Sequence, residues 1–332
     1  MSRSFRSLIV AVGLAMSLAA CASAAPASPS ATASPTPVRL LLTYQPDVQF
    51  APFYVGLEKG YFKNHGLDVK LEHLAVESDV VKQVATGQAP FGVVSGEQVL
   101  LARAQGLPVV YTYEWFNNYP TVIVSKAGMG IKTPKDLKGH SVGVPLKEGA
   151  DYIALEAILF SAGLTDSDIN LKVTGFQQVQ ALVTDQADAV VGYSNNEPIQ
   201  LAVQNVPINT ININDYAKMV SNGLIVSEST IKDHPDLVRS MLAAFNDSLQ
   251  DAISHPDDAF TDSKKYVEGL SDPTVAATQR KVLDATITLW KQDQPGRSDP
   301  AAWANMQDVL VKMGLESKPI DVSAAFTNDY LP

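Results

Sequence analysis

Two short segments concentrate side chains suited to holding a small flat molecule. Trp115-Phe116-Asn117-Asn118-Tyr119-Pro120 follows one strand-like apolar run, and Tyr193-Ser194-Asn195-Asn196-Glu197-Pro198 follows another. Aromatic rings offer faces to a heteroaromatic ring, an offset pair contributing about 0.5–1.5 kcal/mol beyond its buried area. Asparagine offers donors and acceptors together, which suits ring amides, imides or a polyol. Trp115, Tyr119 and Tyr193 are candidate ring faces. Tyr44 ends the first strand, and Tyr54 sits with Phe53 at the start of the first helix. Phe53 and Phe116 serve equally well as core. Asn117, Asn118, Asn195 and Asn196 are candidate edge contacts, although asparagine also builds turns, and one of each pair fits that role. Glu197 opens a helix, where the dipole favours a carboxylate, and it can equally accept from a ligand N–H. Glu97 holds the corresponding place in an earlier unit. Ser95 lies at another strand-to-helix turn, where free backbone N–H groups can donate to a ligand oxygen.

These residues need strand ends to hold them, and the pattern supplies such ends. Strand-like runs at 38–44, 67–74, 91–95, 109–114, 121–125, 141–145, 171–176 and 189–193 alternate with helical ones at 50–63, 79–86, 98–105, 151–162, 177–184 and 197–204. That alternation is the signal of parallel α/β construction. Residues 231–314 are mostly helical, broken at Pro256, Pro273 and 296–300. A weak duplication relates 84–95, leading to Glu97, with 182–193, leading to Glu197. Two like lobes would then face one another across a cleft lined by the loops after their strands, where open α/β sheets place ligands. Crossovers near 125–126 and 222–227 would give one lobe residues 38–125 with 226–332 and the other residues 126–225.

Arg3 and Arg6, the apolar run 8–18 and Ala19-Ala20-Cys21 form the pattern of a secretory leader over residues 1–20. The run is short of the ~20 residues that span a bilayer. Cys21, the single cysteine, resembles the acylated cysteine of bacterial lipoproteins, and residues 22–37 contain only Ala, Ser, Pro and Thr. The expectation is a lipid-anchored, extracytoplasmic chain with a tether over 21–37. The net charge of −10 becomes two units more negative without the leader's arginines, a balance that repels nucleic acid and anionic lipid.

Gln49-Phe50-Ala51-Pro52-Phe53-Tyr54-Val55-Gly56-Leu57-Glu58-Lys59-Gly60-Tyr61-Phe62, with His65-Gly66-Leu67-Asp68-Val69, resembles the opening of a periplasmic-binding-protein family. That family contains receptors for thiamine-precursor pyrimidines, riboflavin, alkanesulfonates and nitrate. Thr133-Pro134-Lys135-Asp136-Leu137-Lys138-Gly139 and Gln186-Ala187-Asp188-Ala189 agree with it. The resemblance implies a two-lobed α/β fold of the type 2 periplasmic-binding-protein class, closing on a small molecule and delivering it to an ABC permease with its ATPase. Within the family, the two Asn-rich segments resemble the receptors for vitamin-type heterocycles, and neither carries the Arg or Lys that an anion would want. Riboflavin, a large ring with a polyol tail, fits the number of aromatics and asparagines best. A formylaminopyrimidine-type thiamine precursor is the alternative, and an alkanesulfonate comes third.

Other chemistry finds little support. His65, His73, His140, His234 and His255 lack metal-ligand spacing. The nucleophile elbow, the His-Glu-x-x-His motif, the P-loop and the dinucleotide fingerprint are missing from the sequence. An enzyme acting on a heterocycle through Glu197 or Glu97 would need a nucleophile or metal beside the carboxylate. The expectation is therefore a receptor that needs neither cofactor nor metal and breaks no bond.

Overall fold

Ten strands among the described residues divide between two sheets built to one plan. The computed structural model describes residues 34–332; the expected leader, Cys21 and the tether up to residue 33 lie outside the described residues. The strands are β1 (Thr36–Thr43), β2 (Leu67–Leu74), β3 (Phe91–Ser95), β4 (Val109–Glu114), β5 (Thr121–Lys126), β6 (Ser141–Val144), β7 (Asn170–Val173), β8 (Ala189–Tyr193), β9 (Ile208–Asn212) and β10 (Asn222–Ser227). The first sheet runs β2-β1-β3-β10-β4 and the second β7-β6-β8-β5-β9. In each, four strands run in one direction and the remaining one, β10 or β5, runs antiparallel to both of its neighbours. In the first sheet the antiparallel strand β10 comes from beyond the block β1–β4, whereas the second sheet is the uninterrupted run β5–β9, with β5 as its antiparallel strand. The duplication of 84–95 and 182–193 falls on the third strand of each sheet and the helix before it.

Helices cover both faces of the first sheet, so its strands read as continuous apolar runs. Along β1, Leu40 and Leu42 face Phe53, Phe245 and Trp290, whereas Leu41 faces Val80, Val84 and Tyr111, the two-residue period of a strand. The helices Ala51–Glu58, Pro235–Ser254 and Pro273–Trp290 cover the first of these faces. In the second sheet, Ile123, Val142 and Val191 pack with the helix Gly149–Ser161, while Val122, Val124 and Val190 meet the opposite layer.

Three expectations change. The single helix over 50–63 is two, Ala51–Glu58 and Tyr61–Asn64, separated where Gly60 adopts φ 78°. The tether ends before residue 37, because Thr36 and Pro37 already pair with Leu67 and Asp68. Pro37 is tolerated there because β3 reaches only Leu40 and Leu41, leaving that side of the strand's start without ladder bonds to lose. The crossovers fall one strand earlier than expected. Thr121–Lys126 pairs with β8 and β9, and Asn222–Ser227 pairs with β3 and β4, so the chain changes sheets over 115–120 and 213–221. Apolar patterning marks a strand without saying which sheet receives it.

Candidate functional site

Between the sheets lies a cleft that holds about 770 Å³ of non-protein space, open solvent at its mouth included. Its walls come from the C-terminal ends of parallel strands in both sheets, the place where open α/β sheets bind ligands. Thr43 ends β1 and Tyr44 follows it, Ala75 and Glu77 follow β2, and Pro145, Leu146 and residues 148–151 follow β6. Phe176 and Gln178 follow β7, Tyr193 ends β8 and Asn196 and Glu197 follow it, and Trp115 and Asn222 stand at the two crossovers.

Tyr44 holds φ 66°, a left-handed conformation that a bulky residue rarely adopts. That turn sets its ring at the mouth, 4.7 Å edge-to-face from Phe176 of the opposite lobe. Deeper in, the Tyr193 hydroxyl and the Asn222 amide bond at 3.2 Å, joining the second sheet to the first. Trp115 is 1% exposed and shows the cavity only part of itself, the rest packing on Phe50, Phe53, Phe116 and Trp290. Its Nε1, like Gln49 Nε2, is a buried donor without a protein partner.

Carboxylates dominate the electrostatics. Four helices begin at or just behind this cavity, and each carries an acid in its first turn: Glu77 in Glu77–Ala85, Glu97 in Gly96–Ala104, Asp151 in Gly149–Ser161 and Glu197 in Glu197–Val203. Glu197 folds back so that its Oε2 accepts from the Tyr193 backbone N–H at 2.7 Å. Ser95 Oγ lies 2.9 Å from Glu77 and also bonds Glu97, and one hydroxyl hydrogen cannot serve both. Burial, and then the charge of Asp151, pushes Glu197 up to about 8. Burial pushes Asp151 up to about 7. Burial raises Glu77 and Glu97 as well, the charge of Glu97 adding to the shift of Glu77. The lining holds no Arg, Lys or His to offset these groups.

Of the twelve residues singled out in the sequence, the structure sets Tyr44, Trp115, Tyr193, Asn196 and Glu197 in the cavity wall. Ser95 and Glu97 form a layer behind it, reaching it through Glu77. Tyr119 is buried, its hydroxyl donating to the Ala150 carbonyl at 3.2 Å. Asn195 is buried too, its amide donating to Thr286 at 2.8 Å. Tyr54, on the helix Ala51–Glu58, is buried and stacked on Tyr266 at 4.5 Å, outside the cavity. Asn117 and Asn118 face outward. Asn117 donates to the carbonyls of Thr288 and Lys291 at 3.3 and 2.8 Å, closing the end of the helix Pro273–Trp290. Their segment is a crossover rather than a loop returning to its own sheet, which turns its tip to the surface.

Sequence reasoning missed Glu77, Asp151, Gln49 and Phe176. Both acids stand in a first helical turn after a strand, the signal that selected Glu97 and Glu197. Applied to every strand-to-helix junction, that rule finds Glu77 and Asp151 along with Glu97 and Glu197, but neither Gln49 nor Phe176.

The sequence profile described as NMT1/THI5 like matches residues 47–259. The chain belongs to the NMT1/THI5-like family. Among relatives of this family member, the riboflavin-binding protein RibY of Chloroflexus aurantiacus is 33% identical over 305 residues, 89% of this chain and 86% of that protein. A formylaminopyrimidine-binding protein of Halalkalibacterium halodurans is 25% identical, over 88% of this chain and 89% of that protein. A 4-amino-5-hydroxymethyl-2-methylpyrimidine phosphate synthase of Schizosaccharomyces pombe is 21% identical, over 89% and 86%. The fold is that of the periplasmic binding proteins. The alkanesulfonate-binding protein SsuA from Xanthomonas axonopodis pv. citri, bound to MOPS, superposes with a TM-score of 0.70 at 14% identity, over 89% of this chain and 99% of that one.

Proposed function

We propose that this NMT1/THI5-like protein is the extracytoplasmic receptor of an ABC importer and that its ligand is riboflavin. The observation that carries this reading is the composition of the cavity wall. Aromatic side chains from both lobes, Tyr44, Phe50, Phe176 and Tyr193, flank it, its charged groups are carboxylates, and Gln49 and Trp115 offer unpaired donors. A flavin ring brings faces for the aromatics, carbonyl and ring-nitrogen acceptors for those donors, and an imide N–H with tail hydroxyls for the carboxylates. The relative named as riboflavin-binding supports the same choice.

A sulfonate or nitrate suits this cavity poorly despite the shared fold. The lining offers no cation to pair with the anion, and above the values to which burial pushes Asp151 and Glu197 two like unit charges about 6 Å apart repel by about 3 kcal/mol at an effective dielectric of 20. The second reading is a formylaminopyrimidine-type ligand, whose ring amine would donate to Asp151 or Glu197; the named Halalkalibacterium relative favours it. Although some relatives are named as synthases, capture without chemistry is the better reading. The lining has no thiol, imidazole or amine to act as nucleophile.

Titrating the full chain with riboflavin and following flavin fluorescence tests the reading. The expected result is one-to-one quenching at submicromolar ligand. No quenching by the folded protein, with heat released on adding formylaminopyrimidine, would transfer the assignment to the pyrimidine. The proposed anchor is separable: Cys21→Ala should release the protein from membranes, and continued retention would remove the lipid from this account.

A further inference from the structure

We propose that the cleft accepts the free alcohol form of its heterocycle and rejects the phosphate ester, so that a phosphomonoester-hydrolysing step must precede capture wherever the vitamin is present as its phosphate. The inference rests on the receptor reading and adds to it which chemical form is carried.

Phosphate sites in α/β proteins are commonly made from helix N-termini, whose free N–H groups and positive dipole end receive the anion. This cleft gathers several N-termini, which on that ground alone would suit an anion. Each carries one of the chain's own acids in its first turn. Glu197 takes the Tyr193 N–H, and Asp151 and Glu77 stand in the first turns of their helices facing the cavity. Glu148, at the head of the Gly149–Ser161 helix, adds a fourth lining carboxylate. The remaining polar lining, Gln49, Gln178, Asn196 and Asn222 among it, is uncharged. Lys147 lines a separate crevice between the helices Glu77–Ala85, Gly96–Ala104 and Gly149–Ser161, and does not line this cavity. A dianionic ester would therefore meet carboxylates where a phosphate receptor presents N–H groups. A free hydroxyl at the same place donates to them. The preceding hydrolysis adds water at phosphorus and breaks the ester O–P bond. The alcohol oxygen takes a proton, and inorganic phosphate leaves.

The test compares riboflavin with riboflavin 5′-phosphate on the full chain at pH 8.5, above the values to which burial pushes Asp151 and Glu197. Binding of the ester is expected to be weaker by about a hundredfold or more, from repulsion by several carboxylates at close range. The variants Asp151→Asn and Glu197→Gln, each one charge fewer at nearly constant shape, should narrow that gap. Equal affinity for the two flavins would overturn the inference and leave the riboflavin reading standing. If riboflavin itself does not bind, that reading fails. The same comparison then passes, by calorimetry, to 4-amino-5-hydroxymethyl-2-methylpyrimidine and its phosphate, where equal affinity overturns the inference. Failure of all four to bind the folded chain overturns both.

Discussion

Tyr44 shows most directly how one residue trades local conformation for a place in the cleft. The left-handed backbone at φ 66° disfavours a tyrosine by roughly 1–2 kcal/mol. Its edge contact with Phe176 returns about 0.5–1.5 kcal/mol. Tyr44→Gly should therefore leave the melting temperature nearly unchanged while ligand affinity falls at least about tenfold, the equivalent of 1.4 kcal/mol. A large loss of stability without loss of binding would make the ring structural. Gly192 poses the opposite case. A Cβ there would run into the Glu197 carboxyl that folds back onto the Tyr193 N–H. Gly192→Ala should displace Glu197 and weaken riboflavin binding, and unchanged fluorescence titration curves would remove Glu197 from the ligand's surroundings. Trp115 is a poorer probe than its sequence context suggests. Packed among Phe50, Phe53, Phe116 and Trp290, its replacement by alanine should lower unfolding free energy by about 3–5 kcal/mol, confounding any change in affinity.

At the scale of elements, the cleft is a set of strand-to-helix junctions, and this level was the most legible in the sequence. The alternating pattern, the duplicated third strand and the acids at 97 and 197 could all be read without coordinates, because period and first-turn chemistry are local. The allocation of β5 and β10 to the opposite sheets was hidden, since a strand's apolar run is the same whichever sheet receives it. The roles of Asn117 and Asn195 were hidden for the same reason. Their partners, Thr288, Lys291 and Thr286, lie far along the chain on one helix of the first lobe. Contacts between the lobes are likewise long-range. Ser78, in the first turn of Glu77–Ala85, donates to Glu148 of the second lobe at 2.8 Å. One such exposed hydrogen bond contributes about 0.5–1.5 kcal/mol. Ser78→Ala should raise the ligand dissociation rate by roughly fivefold for 1 kcal/mol, with little change in association. Stopped-flow flavin fluorescence measures both rates, and an unaltered dissociation rate would show that this bond does not hold the lobes together over the ligand.

For the whole molecule, concentrating acids around the cleft ties stability to pH in an unusual direction. In the folded chain Asp151 sits at about 7 and Glu197 at about 8, and Glu114, half-buried on β4 beside β10, is also pushed up to about 8. Ordinary values are 3.8 for Asp and 4.5 for Glu. Between roughly pH 4.5 and 8 the folded state therefore keeps protons that the unfolded chain has released. Stability falls with rising pH wherever the folded state binds more protons. Paired surface acids act oppositely. Glu72, held at about 2 by Arg39 and Lys70, contributes stability that is lost only as pH falls below the ordinary carboxylate range, and its exposure keeps that contribution small. The ligand-free full chain should thus melt highest near pH 5 and progressively lower toward pH 8. A ligand that donates to Asp151 and Glu197 stabilises their ionised forms and draws their values back down. With saturating riboflavin the decline between pH 5 and 8 should be shallower, so the ligand-induced rise in melting temperature should grow with pH. Calorimetric scans at matched ionic strength measure both curves. A ligand-free melting temperature that is flat or rises from pH 5 to 8 would mean that these acids are already ionised without ligand. A ligand-induced rise that stays constant across that range would mean that the bound molecule does not hydrogen-bond to them.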